Sequence, residues 1–157
     1  MRKCLIGLII SPLVFVSCGP ETTGTHDRLM GAWEIVDYAN LPGEDYEVDV
    51  SEVRGLFIFT EKHYSVEMTW KDRPAWPEGM NYDNVGCEQL SESYIPFTSN
   101  TGFYHIKGDS IYFHVKVSKD PNYMKIDKVW SSAVTFDKEQ LVLRSTFFSA
   151  LTFNRVE

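Results

Sequence analysis

The sequence predicts an all-β protein, an eight-stranded antiparallel up-and-down β-barrel with one short helix. Apolar and polar residues alternate along several runs, and aromatic residues make up 14% of the chain and are spread through those runs, which is typical of strands. Short turn sequences separate the runs and no long helical segment intervenes, so successive strands must be antiparallel. Eight strands closed into a barrel leave no exposed edge, and the interior holds packed side chains or one small ligand.

The first strands are predicted in the N-terminal half of the chain. One runs from Ala32 to Ala39, with Trp33 and Ile35 on one face and Val36 and Tyr38 on the other, and it ends at Leu41-Pro42-Gly43. After the acidic loop 44–52, a hairpin extends from Leu56 to Trp70. Its first strand, 56–59, is apolar at every position, which predicts burial on both faces, whereas its second alternates with period two and is half-buried.

The C-terminal half continues the pattern after a long irregular segment, 71–84, that contains Trp76 and Tyr82. The weakly periodic stretch 85–94 is the candidate for the short helix. Lys107-Gly108-Asp109 is a hairpin turn between 103–106 and a strand that carries Ile111, Phe113, Val115 and Val117 on one face. Strands predicted over 125–136, 140–144 and 150–156 complete the barrel.

The N-terminal segment, residues 1–17, has the layout of a secretory signal. Basic Met1-Arg2-Lys3 precedes an apolar run that is too short to span a bilayer. Its end, Phe15-Val16-Ser17-Cys18, resembles the lipobox of bacterial lipoproteins, with Phe15 where leucine is usual, and this resemblance implies that Cys18 is lipidated. An ordinary cleaved signal and a buried N-terminal strand are the alternatives. Residues 18–28 are small and polar, which predicts a flexible tether before a domain that spans 29–157.

Charge and cysteine content narrow the class of protein further. Removing residues 1–17 leaves 140 residues with 13 basic and 22 acidic side chains, and this acidic balance argues against nucleic-acid binding. With Cys18 lipidated, as the lipobox resemblance implies, Cys87 is the only free cysteine of the mature chain, so we expect no intramolecular disulfide. We expect a monomer that is exported and lipid-anchored in the bacterial cell envelope, at the outer membrane if the cell is Gram-negative.

Several segments, in order, resemble the small bacterial lipocalin-like domain family, a calycin-type β-barrel. They are Gly31-Ala32-Trp33 at the first strand, the 54–66 hairpin, 101–109, 120–122, 141–143 and 151–156. The resemblance implies that Arg155, on the last strand, lies across Trp33 and closes the barrel floor, with Gly31 permitting a close approach of the chain. A guanidinium on an indole face is a favourable cation–π contact.

The predicted function is the binding of a small, mainly apolar molecule inside the barrel, with His114 or Tyr112 orienting it. The lining candidates are Tyr64, Val66, Met68, Trp70, Phe113, His114 and Trp130. Because a register slip of one residue exchanges the two faces of a strand, the inward set depends on the register.

Two other functions stay open. One is a protein-interaction module with a filled barrel that works through its acidic loops and Trp76. The other is a barrel enzyme that uses His105 or His114 with Glu67 as acid and base, or as metal ligands. No His-x-His or His-Glu-x-x-His spacing, phosphate loop or dinucleotide fingerprint occurs. We therefore expect neither a metal nor a cofactor.

Overall fold

A computed structural model describes residues 23–39, 52–70, 73–125, 128–146 and 150–156, with only the backbone of Thr23 and Trp70. The predicted signal segment, Cys18 and most of the acidic loop lie outside these residues. In sequence order the elements are α1 (Thr23–Leu29), β1 (Gly31–Ala39), β2 (Val53–Phe59), β3 (His63–Trp70), α2 (Cys87–Tyr94), β4 (Phe97–Lys107), β5 (Ser110–Ser118), a 3-10 turn (Pro121–Met124), β6 (Val129–Asp137), β7 (Gln140–Arg144) and β8 (Ala150–Arg155).

The eight strands form a closed barrel in sequence order, and β8 pairs with β1. Every neighbouring pair is antiparallel. This confirms the predicted fold class. None of the helices in the described ranges combines the length and apolarity needed to cross a membrane.

Two strands begin four or more residues from their predicted start. β4 begins at Phe97, six residues before the predicted start, because polar Thr98 and Ser99 pair with Met68 and Glu67 of β3. β6 begins at Val129 rather than at Lys125. The first residues of β4 are mostly polar and do not alternate with apolar residues, so the hydrophobic pattern does not mark them as a strand. They belong to β4 because they pair with β3.

The prediction that β2 is buried on both faces is wrong. Phe57 and Phe59 are buried, whereas Leu56 and Ile58 are 39% and 41% exposed on the outside of the barrel. Side chains of a strand point alternately to the two faces, and only the inner face of a barrel is covered.

β-Bulges in β1 and β5 change which residues face inward. Between Ile35, opposite Phe153, and Asp37, opposite Thr152, β1 holds the additional residue Val36. An extra residue shifts the alternation by one, so Tyr38 joins Trp33 and Ile35 inside rather than lying opposite them. A similar shift in β5 leaves Val117 60% exposed, in contrast to its predicted place beside Phe113.

Aromatic side chains fill much of the barrel core. Phe57 and Phe153 lie 4.7 Å apart between ring centroids, and Tyr64 and Phe113 lie 4.8 Å apart in an edge-to-face arrangement. Phe153 and Leu141 are fully buried. Edge-to-face and tilted pairs of this kind stabilise a core beyond the effect of their buried area.

Helix α1 closes one end of the barrel. Its last residue, Leu29, is completely buried. His26 Nε2 donates to the carbonyl oxygen of Glu61 at 2.7 Å, and the Arg28 guanidinium lies 4.1 Å from the Phe136 ring centroid. Arg28 also donates to the carbonyl oxygen of Lys138, in the β6–β7 turn, at 2.8 Å. Residues 23–28 are therefore helical and packed on the barrel, whereas the sequence predicts a flexible tether over 18–28.

The predicted contact between Arg155 and Trp33 is confirmed. The guanidinium carbon lies 4.4 Å from the indole centroid, and Arg155 donates to the carbonyl oxygens of Met30, at 2.6 Å, and Arg28. Trp33 Nε1 donates to the carbonyl of Leu29 at 2.7 Å. Gly31 has a φ of 128°, in the region that glycine favours, so it allows the chain to turn from α1 into β1 here.

Candidate functional site

A cavity of about 360 Å³ occupies the half of the barrel away from α1. It extends from the aromatic core to the β5–β6 connection, where Ser118, Lys119, Asp120 and Tyr123 form its mouth. The remaining lining residues are Tyr38, Phe57, Tyr64, Val66, Met68, Thr98, Ser99, Asn100, Phe113, Trp130, Ser132, Leu143 and Leu151. The interior is therefore not filled by side chains, in contrast to the alternative of a filled barrel.

Five of the predicted lining residues do contribute to this cavity. Tyr64, Val66 and Met68 lie at successive inward positions of β3. Phe113 and Trp130 face each other across the β5–β6 pair, with ring centroids 6.0 Å apart. Tyr64, Val66 and Met68 follow the period-two alternation of a regular strand, which is the pattern that predicted them.

The prediction that His114 lines the cavity is wrong. Phe113 faces inward, and the pleat turns the next residue to the outside. There the His114 ring stacks on Phe103 with centroids 4.5 Å apart. Tyr112, the other residue expected to orient a ligand, stacks on His105 outside the barrel. The structure describes only the backbone of Trp70, which pairs with Val53. The predicted role of the Trp70 side chain in lining the cavity therefore lies outside the described residues.

The predicted lining set lacks several residues of the cavity wall, among them Tyr38, Asn100 and Ser132. Tyr38 enters the cavity because of the bulge at Val36, a feature that the local sequence pattern does not show. Asn100 and Ser132 are polar residues, 4% and 5% exposed, at inward positions of β4 and β6. Ser132 is two residues before buried Val134, and this spacing is a signal that could have identified it.

Two buried polar atoms belong to residues of the cavity wall. The Tyr64 hydroxyl and the Asn100 side-chain oxygen are inaccessible to solvent and have no hydrogen-bond partner within the described part of the chain. Burial raises the pKa of Tyr64 well above its ordinary value of 10, so this hydroxyl keeps its proton. It can donate, whereas the Asn100 oxygen can only accept.

Lys119 is the cation at the cavity mouth, and its ammonium group is already bound. Nζ donates to the carbonyl oxygens of Tyr94, of Ile95 at 3.1 Å and of Phe97 at 2.5 Å, and it lies 4.2 Å from the centroid of the Tyr94 ring. These carbonyls follow the C-terminal end of α2, where a cation is favourable. Lys119 thus attaches α2 to the barrel.

The predicted histidine pair is present on the outer face, apart from the cavity. His105 Nδ1 and His114 Nε2 are 3.1 Å apart, a hydrogen-bond distance. Partial burial, His105 and Lys116 lower the pKa of His114 below its ordinary value. Among the described residues no three metal-ligating side chains cluster. Glu67 pairs with Ser99 and accepts a hydrogen bond from its hydroxyl. It lies four residues along β3 from His63, whose partner Phe103 is the residue opposite His114. This spacing places Glu67 roughly 13 Å along the sheet from the level of His114.

Trp76 and Tyr82 pack together outside the barrel. Their rings meet edge to face with centroids 4.8 Å apart, and Trp76 Nε1 donates to Ser93 Oγ at 2.9 Å. Arg73 Nε donates to the carbonyl of the same serine at 2.7 Å. These contacts join the segment after β3 to α2, so Trp76 has a structural partner and does not line the cavity.

Comparison with known protein families identifies the family of this chain. A family model described as a lipocalin-like domain matches residues 30–156. A search of curated proteins gives no match. The crystal structure, at 2.60 Å resolution, of an uncharacterized protein from Bacteroides eggerthii DSM 20697 is similar to 81% of this chain and 98% of that chain, with 13% sequence identity and a TM-score of 0.45. Because the family match spans nearly the whole barrel, the chain belongs to the lipocalin-like domain family.

Proposed function

We propose that this protein binds a small, mainly apolar molecule in the cavity of its barrel. The observation that carries the proposal is the cavity itself, about 360 Å³ and walled mostly by aromatic and aliphatic side chains. This volume lies within the range of small-molecule sites, about 300–1,000 Å³. Apolar burial supplies the driving force, at about 25 cal/mol per Å² of surface removed from water.

The position of the cavity also supports this function. Helix α1 and the Arg155–Trp33 contact close the opposite end of the barrel, so a ligand enters beside Lys119 and Asp120. Trp130 forms part of the wall, and its fluorescence therefore reports on a bound molecule directly.

Filling the cavity tests the proposal. We expect Ser132→Phe to occupy the space that a ligand would use and to abolish the fluorescence change that 1-decanol causes in the unmodified protein. Ser131→Phe is the matched control, because Ser131 is exposed on the outside of the same strand. Equal responses of the two variants, or no response of the unmodified protein to a panel of apolar probes, would exclude binding in the barrel.

The proposed location is the cell envelope, with the domain anchored as a monomer through lipid on Cys18. The support is the sequence of residues 1–18, a basic start, an apolar run and a lipobox-like end. Stable anchoring needs more than one acyl chain, and lipoprotein modification supplies several. In a bacterial host, intact-mass analysis of the membrane fraction should show cleavage before Cys18 and added acyl chains. Cys18→Ser should release the protein, and an unmodified mature mass would contradict the proposal.

A further inference from the structure

We infer that the cavity selects an amphiphile whose polar group is uncharged, an alcohol or an amide, and that Tyr64 and Asn100 bind this group inside the barrel. The inference rests on the proposed function and specifies its ligand class. It starts from the two buried oxygens without hydrogen-bond partners, those of Tyr64 and Asn100. Buried polar groups in proteins are nearly always hydrogen-bonded, so each exception needs an explanation.

The two side chains are close enough to serve one ligand group. Asn100 lies opposite Val66 across the β3–β4 pair, and Tyr64 is two residues from Val66 on the same inward face. Such diagonal neighbours are about 7–8 Å apart at the backbone, and a tyrosine side chain is long enough to cover most of that distance. Both line the cavity, and Tyr64 packs against Phe113 at its inner end.

The chemistry of the two atoms specifies a group that donates and accepts. The protonated Tyr64 hydroxyl can donate, and the Asn100 oxygen accepts. A ligand hydroxyl can accept from the first and donate to the second, and a primary amide can do the same. In the free protein both oxygens are inaccessible to solvent, so a ligand's polar group meets them only after the two side chains rotate toward the cavity. The hydrogen bonds that form then favour this rotation.

The charges at the cavity argue against an anionic ligand. Lys119 is the one cationic side chain among the described lining residues, and its ammonium is held by three carbonyl oxygens. Asp120, beside it at the mouth, is negatively charged. A carboxylate that entered would lose its hydration without gaining a cationic partner, which is strongly unfavourable. A ligand with an apolar chain and an uncharged polar group avoids this desolvation penalty.

Three probes of equal chain length test the inference: 1-decanol, decyl methyl ether and decanoate at pH 8, each titrated by tryptophan fluorescence. We expect 1-decanol to bind about tenfold more tightly than the ether, which cannot donate to Asn100, and decanoate to bind most weakly. Tyr64→Phe and Asn100→Leu remove one buried polar group each and should keep the barrel folded. Each should reduce the preference for 1-decanol over the ether, and the double variant should abolish it.

The outcomes separate the inference from the proposed function. Thr98→Val is the matched control, a polar lining residue near the mouth whose change should leave the preference intact. Equal affinity for all three probes, or a preference for decanoate, overturns the inference and leaves apolar binding in place. A preference that survives in the double variant also overturns it. Binding of none of the three overturns both.

Discussion

Arg155 combines three interactions in one side chain at the closed end of the barrel. It stacks on Trp33 and donates to two carbonyl oxygens of the segment that leads from α1 into β1. Because a guanidinium is planar and has several donors, it can stack and hydrogen-bond at once. The residue therefore connects the last strand, the first strand and the helix.

Arg155→Ala should lower the free energy of unfolding by about 1–3 kcal/mol, since it removes an exposed cation–π contact and two charge-assisted hydrogen bonds. Urea denaturation measures this change. Arg144→Ala is a suitable control, because exposed Arg144 bonds the Thr135 hydroxyl at 3.1 Å on the barrel exterior. A similar loss in both variants would contradict the closing role of Arg155.

The lowered pKa of His114 leads us to expect that stability depends on pH. Its pKa in the folded protein is lowered by partial burial, by His105 and by Lys116. As pH falls, the unfolded chain therefore binds the proton at a higher pH than the folded protein does. Stability contributed by neutral His114 is therefore present above the unfolded pKa, about 6.5, and decreases as pH falls toward the folded value.

His114→Gln should consequently lose less thermal stability between pH 7.5 and 5.5 than the unmodified protein does. Thermal unfolding followed by circular dichroism at the two pH values measures the difference. The control is His63→Gln, at the exposed first residue of β3, which pairs with Phe103. This variant should keep the pH dependence of the unmodified protein. If His114→Gln keeps it as well, the titration of His114 does not contribute.

Among the elements, the β4–β5 pair depends on a glycine. A Cβ placed on Gly102 would lie 2.0 Å from the backbone oxygen of His114, next to the bulge in β5. A backbone atom cannot move aside as the end of a flexible side chain can. β4 and β5 would therefore have to separate at this point. Local alternation alone did not identify this requirement.

Gly102→Ala should therefore reduce the free energy of unfolding by about 2–4 kcal/mol. The matched control is Gly24→Ala in α1, where an added Cβ meets no atom within 4 Å and alanine favours the helix by about 0.5–1 kcal/mol. Urea denaturation of the two variants provides the comparison. Unchanged stability of Gly102→Ala would mean that the strands are not packed so closely.

Helix α1 contributes to stability through its last residue. Leu29 is fully buried at the closed end, and Leu29→Ala should cost about 2–4 kcal/mol, the range for a buried leucine that leaves a cavity. Leu90→Ala in α2 is the control, because Leu90 is 37% exposed. Denaturation curves that coincide for the two variants would show that α1 does not stabilise the barrel.

At the scale of the whole molecule, closure of β8 on β1 makes one cooperative unit. Every strand has two partners, and Cys87 is free and exposed, so stability rests on the core. We expect urea unfolding to follow a single transition with a midpoint that a reducing agent does not change. Two transitions, or a midpoint that depends on the reducing agent, would contradict this account.

Local patterns along the chain were enough to predict the number and order of the strands and the inward side of β3. Alternation and turn residues are local signals, and the resemblance of the segments to a known family supplied the closing pair, Trp33 and Arg155. Three other features became evident only in the folded chain: Tyr38 faces inward, His114 faces outward beside its inward neighbour Phe113, and α1 packs on the barrel. The open volume with two buried oxygens on its wall also belongs to the tertiary structure. These features depend on bulges and on contacts between residues far apart in the chain, which local patterns do not contain.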